Sequence, residues 1–300
     1  MELVVIEKRL IAQDTVAVTL GAATGVLQVA SPGAHITISL GELVRHYSLT
    51  RGFLAGEPYE IQVLRVAEGR GGSRWIHDRL SVGDRLHAIG VSNDFPLVPS
   101  SAPAVFIAGG IGITPFLSMA SEVAQSSRAL EIHHLVRHLA RQVPLPQALL
   151  PHLHTYAGAI PDFARLLSKL DPASHIYVCG PVPMMSALRV QAQRLGFPSG
   201  HFHAETFGVA LAADDPTLEV HLALSGTHFL ATPGQPLLDA LLAQGAWVGE
   251  ECRRGQCGSC LVEVLEGEPI HRDALDPALR PGALCACVSW ARGPKLVLKL

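Results

Sequence analysis

Positive charge is scarce and scattered in this 300-residue chain. Its 23 lysines and arginines face 26 acidic residues, for a net charge of −3, and they form no basic stripe. That argues against a nucleic acid partner. A secretory leader is also missing. In Met1-Glu2-Leu3-Val4-Val5-Ile6-Glu7-Lys8-Arg9 the charges are interspersed with apolar residues, whereas a leader needs a basic start followed by an unbroken apolar stretch. The segment is read as a strand, and the expected location is cytoplasmic. Nor is there a clean membrane span. No charged residue lies between Asp94 and Glu122, but Pro96, Pro99, Pro103, Gly109, Gly110, Gly112 and Pro115 interrupt that interval. A continuous lipid-facing helix does not tolerate so many breaks; a buried strand, a tight turn and a helix fit better. Internal repeats are absent as well.

What is present reads as globular. Hydrophobic residues make up 48% of the chain, with 28 glycines and 21 prolines, so it is turn-rich rather than disordered. Its length suggests two or three domains. Up to about residue 98, short apolar or alternating runs are separated by turn signals such as Ser31-Pro32-Gly33 and Val82-Gly83-Asp84. The runs are 16–20, 34–40 and 59–66, and the pattern predicts a small antiparallel barrel. From about 103 to 209, apolar strands at 104–108, 130–136 and 175–179 alternate with helix-like stretches at 115–125, 162–170 and 182–195. Such alternation predicts a parallel sheet covered by helices. Residues 211–216 read as a linker. Beyond it come a strand at 218–224, a helix at 236–244, a cysteine loop and a closing strand at 295–300.

The six cysteines are not spread as a disulfide framework. Three sit within nine residues, Cys252-Arg253-Arg254-Gly255-Gln256-Cys257-Gly258-Ser259-Cys260. Clustering of this kind argues for metal or redox chemistry. The spacing C-x4-C-x2-C with a distant fourth cysteine is that of a plant-type [2Fe–2S] cluster. Gly255 and Gly258 allow backbone conformations that let amide N–H groups approach the sulfurs. A structural zinc site would favour paired C-x2-C knuckles, and only one such pair is present. The fourth ligand is Cys285 or Cys287, which would share a face on a strand; the pattern alone does not separate them.

Three further motifs suggest bound nucleotides. Arg45-His46-Tyr47-Ser48-Leu49 offers positive charge, an aromatic ring and a hydroxyl, as a flavin requires. Glu68-Gly69-Arg70-Gly71-Gly72-Ser73 precedes a helix-like run at 74–80, so its N–H groups form a candidate phosphate nest. Ala108-Gly109-Gly110-Ile111-Gly112-Ile113-Thr114-Pro115 follows an apolar strand and opens a helix. Glycines let the backbone approach a pyrophosphate, and Pro115 suits the first helical turn. This is not the G-x-G-x-x-G fingerprint. The histidines His133, His134, His138, His152 and His154 lack a consistent ligand spacing, and no second metal is assigned.

In this order the motifs resemble those of the phthalate dioxygenase reductase and vanillate demethylase reductase family, over nearly the whole chain. The resemblance implies a multidomain α/β and β fold: an antiparallel flavin-binding β-barrel (1–100), a ferredoxin reductase-like α/β nucleotide domain (101–212) and a C-terminal β-grasp ferredoxin domain (213–300). It selects Cys287, since Cys287-Val288-Ser289 and Leu296-Val297-Leu298-Lys299-Leu300 occupy the family's places; Cys285 then reads as a small buried apolar side chain. The implied metal ligands are Cys252, Cys257, Cys260 and Cys287. Tyr47 and Ser48 are expected at the isoalloxazine of FMN, with Arg45, Arg70, Gly71, Gly72 and Ser73 near its phosphate. Gly109, Gly110, Gly112, Thr114 and Pro115 are expected at the nicotinamide nucleotide, and Cys179-Gly180-Pro181 beside its ring. By the same resemblance His203-Ala204-Glu205-Thr206-Phe207-Gly208 puts Phe207 over the flavin with Glu205 nearby. Ser48, Cys179, Glu205 and Phe207 are thus the candidate catalytic residues. The expected partners are NADH, preferred over NADPH because a convergent arginine cluster is missing, and a Rieske-type oxygenase component. The rival readings are a stand-alone flavin reductase and a binding module with a zinc-stabilised C-terminal domain.

Overall fold

The computed structural model describes residues 1–67, 69, 71–208 and 214–300, and the chain divides into two compact units, Met1–Ala204 and Glu205–Leu300. The first begins with six strands, β1 (Glu2–Ala12), β2 (Thr15–Ala22), β3 (His35–Leu40), β4 (Leu43–Arg51), β5 (Tyr59–Leu64) and β6 (Arg85–Ser92), and a short helix, α1 (Gly72–Asp78). All strand pairs are antiparallel, and β1 pairs with β6 to close a barrel of order β1-β2-β5-β4-β3-β6. The two-residue period of the sequence explains the closure: Ile36, Ile38 and Leu40 alternate inward along β3 and meet Val18, Leu20, Leu49 and Ile61 in one core.

Next in the same unit is a five-stranded sheet of β7 (Ala104–Gly109), β8 (Leu130–Val136), β9 (Leu153–Ala157), β10 (His175–Cys179) and β11 (Phe202–Glu205). Its order is β11-β10-β7-β8-β9, and the pairs β10/β7, β7/β8 and β8/β9 are parallel. The helices of this region are α2 (Thr114–Ala124), α3 (Phe163–Leu167) and α4 (Val182–Arg194). Strand β7 is buried on both faces, as its unbroken apolar run Ala-Val-Phe-Ile-Ala requires. The charge-free interval therefore resolves into a strand, a tight turn and a helix; among the described residues no helix is long and apolar enough to cross a membrane. The barrel meets this layer through Gly33 N–H donating to Ser118 Oγ at 3.1 Å and Gln13 N–H donating to the Ala140 carbonyl at 2.7 Å.

The second unit is a mixed sheet of β12 (Leu218–Leu222), β13 (His228–Ala231), β14 (Leu261–Ile270), β15 (Ala283–Cys285) and β16 (Trp290–Leu298), with helix α5 (Leu237–Ala243). The order is β13-β12-β16-β14-β15, with β12 and β16 parallel at its centre. Leu237, Leu238 and Leu241 of α5 join Val220, Val262, Trp290 and Leu296 in its core.

Some sequence expectations change. The closing strand starts at Trp290, not Lys295; Gly293 (φ 79°) and Pro294 interrupt the apolar pattern, and one of the two register shifts against β14 falls across them. The helix expected at 162–170 spans only Phe163–Leu167, capped by Asp162, which accepts from Arg165 N–H at 3.1 Å. Strand β9 lies within the proline-rich segment, where no strand is expected from the pattern. Cys285 ends β15 while Cys287 stands in the following turn, so the two do not share a strand. Half of the expected linker, 211–213, lies outside the described residues.

Candidate functional site

The strand order places a crevice in the first unit. From β7 the chain runs outward to β8 and β9, then returns to place β10 on the other side of β7. In an open parallel sheet, the carboxyl ends of two such strands flank a topological switch point, where ligands bind. Both nicotinamide motifs converge on that point. At the end of β7, Gly110 adopts φ 56°, a left-handed turn that glycine permits without strain, and residues Gly110–Ile113 make one tight turn before α2 begins with Thr114 and Pro115. At the end of β10 lie Cys179, Gly180 and Pro181. The two loops pack backbone to backbone: a Cβ on Gly112 would come within 2.3 Å of the Cys179 carbonyl oxygen, and one on Gly109 within 2.6 Å of Pro181 Cδ. Gly109 and Gly112 are therefore required by close approach alone. The Cys179 side chain is fully buried in the core beneath α2, so its backbone rather than its thiol borders Gly112.

One contributor was not singled out from the sequence. His134 on β8 is buried, and its Nε2–H donates to the Gly110 carbonyl at 2.9 Å. Burial holds its pKa below the usual histidine value, which favours the neutral ring and so this donor. His134 thereby fixes the left-handed glycine at the mouth of the crevice. A buried histidine beside a glycine-rich turn has no fixed spacing, so no motif could have found it. Farther along, Arg141 Nη2 is held by Asp14 Oδ2 of the barrel at 2.8 Å, while Arg137 is exposed.

The flavin motif lies within β4. Ser48 is buried and Tyr47 packs partly against the barrel core. Gly71 caps α1 with φ 86°, and a Cβ on Gly72 would meet Arg45 Cγ at 2.6 Å, so the glycine backbone lies flush against the arginine. Ser73 Oγ accepts from Val66 N–H at 3.1 Å and thereby holds the loop closed. The structure thus brings Arg45, Gly71 and Gly72 together; Arg70 lies outside the described residues.

In the second unit, the loop before β14 carries Cys252, Cys257 and Cys260. Arg253 (φ 51°), Gly255 (φ 76°) and Gly258 (φ 77°) all take left-handed conformations. The N–H groups of Gln256 and Cys257 both donate to Cys252 Sγ at 3.4 Å. Cys260, Cys285 and Cys287 bring their sulfurs within 4.8 Å of one another, all buried. The Cys285 and Cys287 thiols donate to Cys260 and pull its pKa down to about 3, while the same bond to Cys260 pushes Cys285 up. Burial raises the Cys252 pKa and the N–H groups aimed at its sulfur oppose that rise; a loop that points N–H groups at sulfur fits an iron–sulfur cluster. Cys257 is exposed. Cys285 is buried as expected, but its sulfur faces Cys260 and it is not only an apolar filler.

The candidates Glu205 and Phe207 also belong to this unit. Glu205 is fully buried and its Oε1 accepts from Arg254 Nη1 at 3.1 Å; Thr206 N–H donates to Gln256 Oε1 at 3.0 Å. Both contacts end on the cysteine loop. Phe207 is partly exposed.

Comparison with known proteins follows the same division. A family model described as the 2Fe-2S iron-sulfur cluster binding domain matches residues 220–292. The carnitine monooxygenase reductase subunit of Escherichia coli (strain K12) is 35% identical over 283 residues, covering 89% of this chain and 88% of the relative. The vanillate O-demethylase oxidoreductase of Pseudomonas sp. (strain HR199 / DSM 7063) is 33% identical and is matched along 100% of both chains. Among solved structures, phthalate dioxygenase reductase, described as a modular structure for electron transfer from pyridine nucleotides to [2Fe–2S], superposes with a TM-score of 0.75 at 30% identity. That match covers 100% of this chain and 98% of the other.

Proposed function

This chain belongs to the family of phthalate dioxygenase reductase and vanillate O-demethylase oxidoreductase, and on that premise we propose that it carries electrons from NADH through FMN and a [2Fe–2S] cluster to a Rieske-type oxygenase component that hydroxylates or demethylates an aromatic compound. When bound, the flavin accepts a hydride and releases electrons singly, and the cluster takes them one at a time. The protein's task is to bind, orient and exclude water.

The carrying observation is the thiol constellation of the second unit: Cys252 receives two backbone N–H groups, and the buried sulfurs of Cys260, Cys285 and Cys287 lie within 4.8 Å of one another. Cys252, Cys257, Cys260 and Cys287 hold the cluster in this reading, and the exposed Cys257 marks the side from which electrons leave. In the first unit Arg45, Arg70 and the backbone of Gly71, Gly72 and Ser73 take the flavin phosphate, a charge-assisted arrangement that suits FMN. Tyr47 and Ser48 line the ring. Gly109, Gly110, Gly112 and Thr114, at the start of α2, receive the pyrophosphate of the nicotinamide nucleotide, whose ring lies toward Cys179-Gly180-Pro181. Glu205 braces the cysteine loop through Arg254. The functional division is 1–100 for the flavin, 101–212 for the nicotinamide nucleotide and 213–300 for the cluster.

NADH is the better donor because Arg141 is engaged by Asp14, leaving Arg137 without a second arginine to grip a 2′-phosphate. Cofactor extraction from the purified protein, with iron and acid-labile sulfide analysis, tests the reading. The expected result is FMN together with iron and sulfide in equal amounts. Stoichiometric FAD contradicts the flavin assignment, and zinc in place of iron contradicts the electron path.

A further inference from the structure

Three thiols, not two, stand on the inner side of the cysteine loop. Cys260 Sγ lies 3.3 Å from Cys285 Sγ, and Cys285 Sγ lies 4.0 Å from Cys287 Sγ. A tetrahedral iron with metal–thiolate bonds of about 2.3 Å keeps its two thiolate sulfurs about 3.8 Å apart. The Cys260–Cys285 separation of 3.3 Å is within about 0.5 Å of that value, and Cys287 Sγ also lies within 4.8 Å of Cys260 Sγ. The backbone accounts for the arrangement. Cys285 is tied to Leu261 in the β14–β15 ladder, one residue past Cys260. Ala286 N–H donates to the Cys260 carbonyl at 3.0 Å, and the turn then folds back as Ser289 N–H donates to the Cys285 carbonyl at 2.9 Å. Residues 285–287 thus curl around Cys260 and present both flanking sulfurs to it. All three are buried, so no water competes for them.

We propose that Cys285 is an interchangeable cluster ligand: Cys285 and Cys287 compete for the thiolate place beside Cys260, and either alone holds the iron. The inference rests on the reading that this loop carries a [2Fe–2S] cluster. A tetrahedral iron bound to two bridging sulfides has room for two thiolates, so with Cys260 in place one of the other two must remain outside. The excluded sulfur keeps its proton. When the two exchange, the incoming thiol releases its proton and the outgoing thiolate takes one up, with no change in oxidation state. The expected benefit is retention of the cluster after loss or oxidation of Cys287.

The test uses the full chain with Cys285→Ala, Cys287→Ala and both together, since alanine offers no ligand atom. Iron and acid-labile sulfide are measured per flavin, with the EPR spectrum of the dithionite-reduced protein. Each single variant is expected to keep at least about half of the wild-type iron per flavin, and the double variant to lose about tenfold. Its EPR spectrum should differ between the two single variants. Iron loss in Cys287→Ala as deep as in the double variant, at unchanged flavin content, overturns the proposal. Loss in Cys285→Ala alone overturns it too, because Cys285 would then be the sole ligand. Should Cys287→Ala fail to fold, Cys285→Ala still decides: an EPR spectrum identical to wild type shows that Cys285 never reaches the iron. Wild-type protein without iron sinks the underlying reading instead, so the two failures are distinguishable.

Discussion

The nucleotide crevice of the first unit and the cysteine loop of the second perform related redox work with opposite materials. The crevice is built from backbone: nothing larger than Gly109 and Gly112 fits between the ends of β7 and β10, and Gly110 takes the left-handed turn that glycine allows. The cysteine loop is built from side chains whose chemistry has few substitutes. A backbone site fails gradually when it is crowded, whereas a thiolate site fails when a donor with no stand-in, such as Cys257, is removed.

The largest expected effect is at the loop. Cys257→Ala should lower NADH-dependent cytochrome c reduction by about a hundredfold or more while flavin content and ferricyanide reduction persist, because the cluster loses a ligand and the flavin site does not. Equal loss of both activities breaks the comparison, since it would mean that the two sites do not fail separately. In the crevice, Gly112→Ala forces a methyl group to within 2.3 Å of a carbonyl oxygen. Overpacking of this kind costs about 1–3 kcal/mol, and we expect KM for NADH to rise about tenfold, with iron content unchanged. Nucleotide kinetics at fixed ionic strength would reveal an unchanged KM if the crevice lay elsewhere.

A third effect sharpens the account of donor choice. NADH should exceed NADPH in kcat/KM by about tenfold, or about 1.4 kcal/mol. Asp14→Ala releases Arg141 and should narrow that ratio about threefold; a ratio unmoved by the substitution would show that Arg141 does not reach the adenosine end.

The smallest effect concerns acid. His133, His134, His175 and His203 of the first unit all have pKa values held down by burial, His203 to about 4, against His271 alone in the second. Below about 6.5 the unfolded chain protonates these histidines while the folded unit resists. The folded state then binds fewer protons, so stability falls as pH drops from 7 toward 5. His203 alone should contribute about 1 kcal/mol of that loss after allowance for its partial exposure. Chemical denaturation followed through flavin release for the first unit and cluster bleaching for the second should show the first losing more; parallel losses would contradict the assignment.

The same contrast governs what was legible in the sequence. Alternating runs in β3 and the apolar run of β7 dictate strands by burial, so barrel and parallel sheet followed from pattern. Cys252, Cys257 and Cys260 were readable because thiolate spacing is chemistry written in the sequence. His134, by contrast, acts through one hydrogen bond to a backbone carbonyl, and no spacing rule links positions 134 and 110. The sulfur of Cys285 meets Cys260 only because the turn after β15 curls back, a consequence of hydrogen bonds to the Cys260 and Cys285 carbonyls. The burial of Glu205 against Arg254 was equally invisible, since 49 residues separate them. Strand β16 begins before the expected 295, because pairing with β14 resumes at Arg292, Ala291 and Trp290 beyond the register shift that skips Gly293 and Pro294.

Electrons from the nicotinamide are expected to reach the cluster through the flavin. Anaerobic titration with NADH, followed by EPR and by flavin absorbance, tests this most directly. The account predicts that wild-type protein shows flavin bleaching together with the EPR signal of a reduced [2Fe–2S] cluster, and that Cys257→Ala bleaches its flavin without that signal. A cluster that stays oxidised in wild type while the flavin is fully reduced by NADH would contradict it.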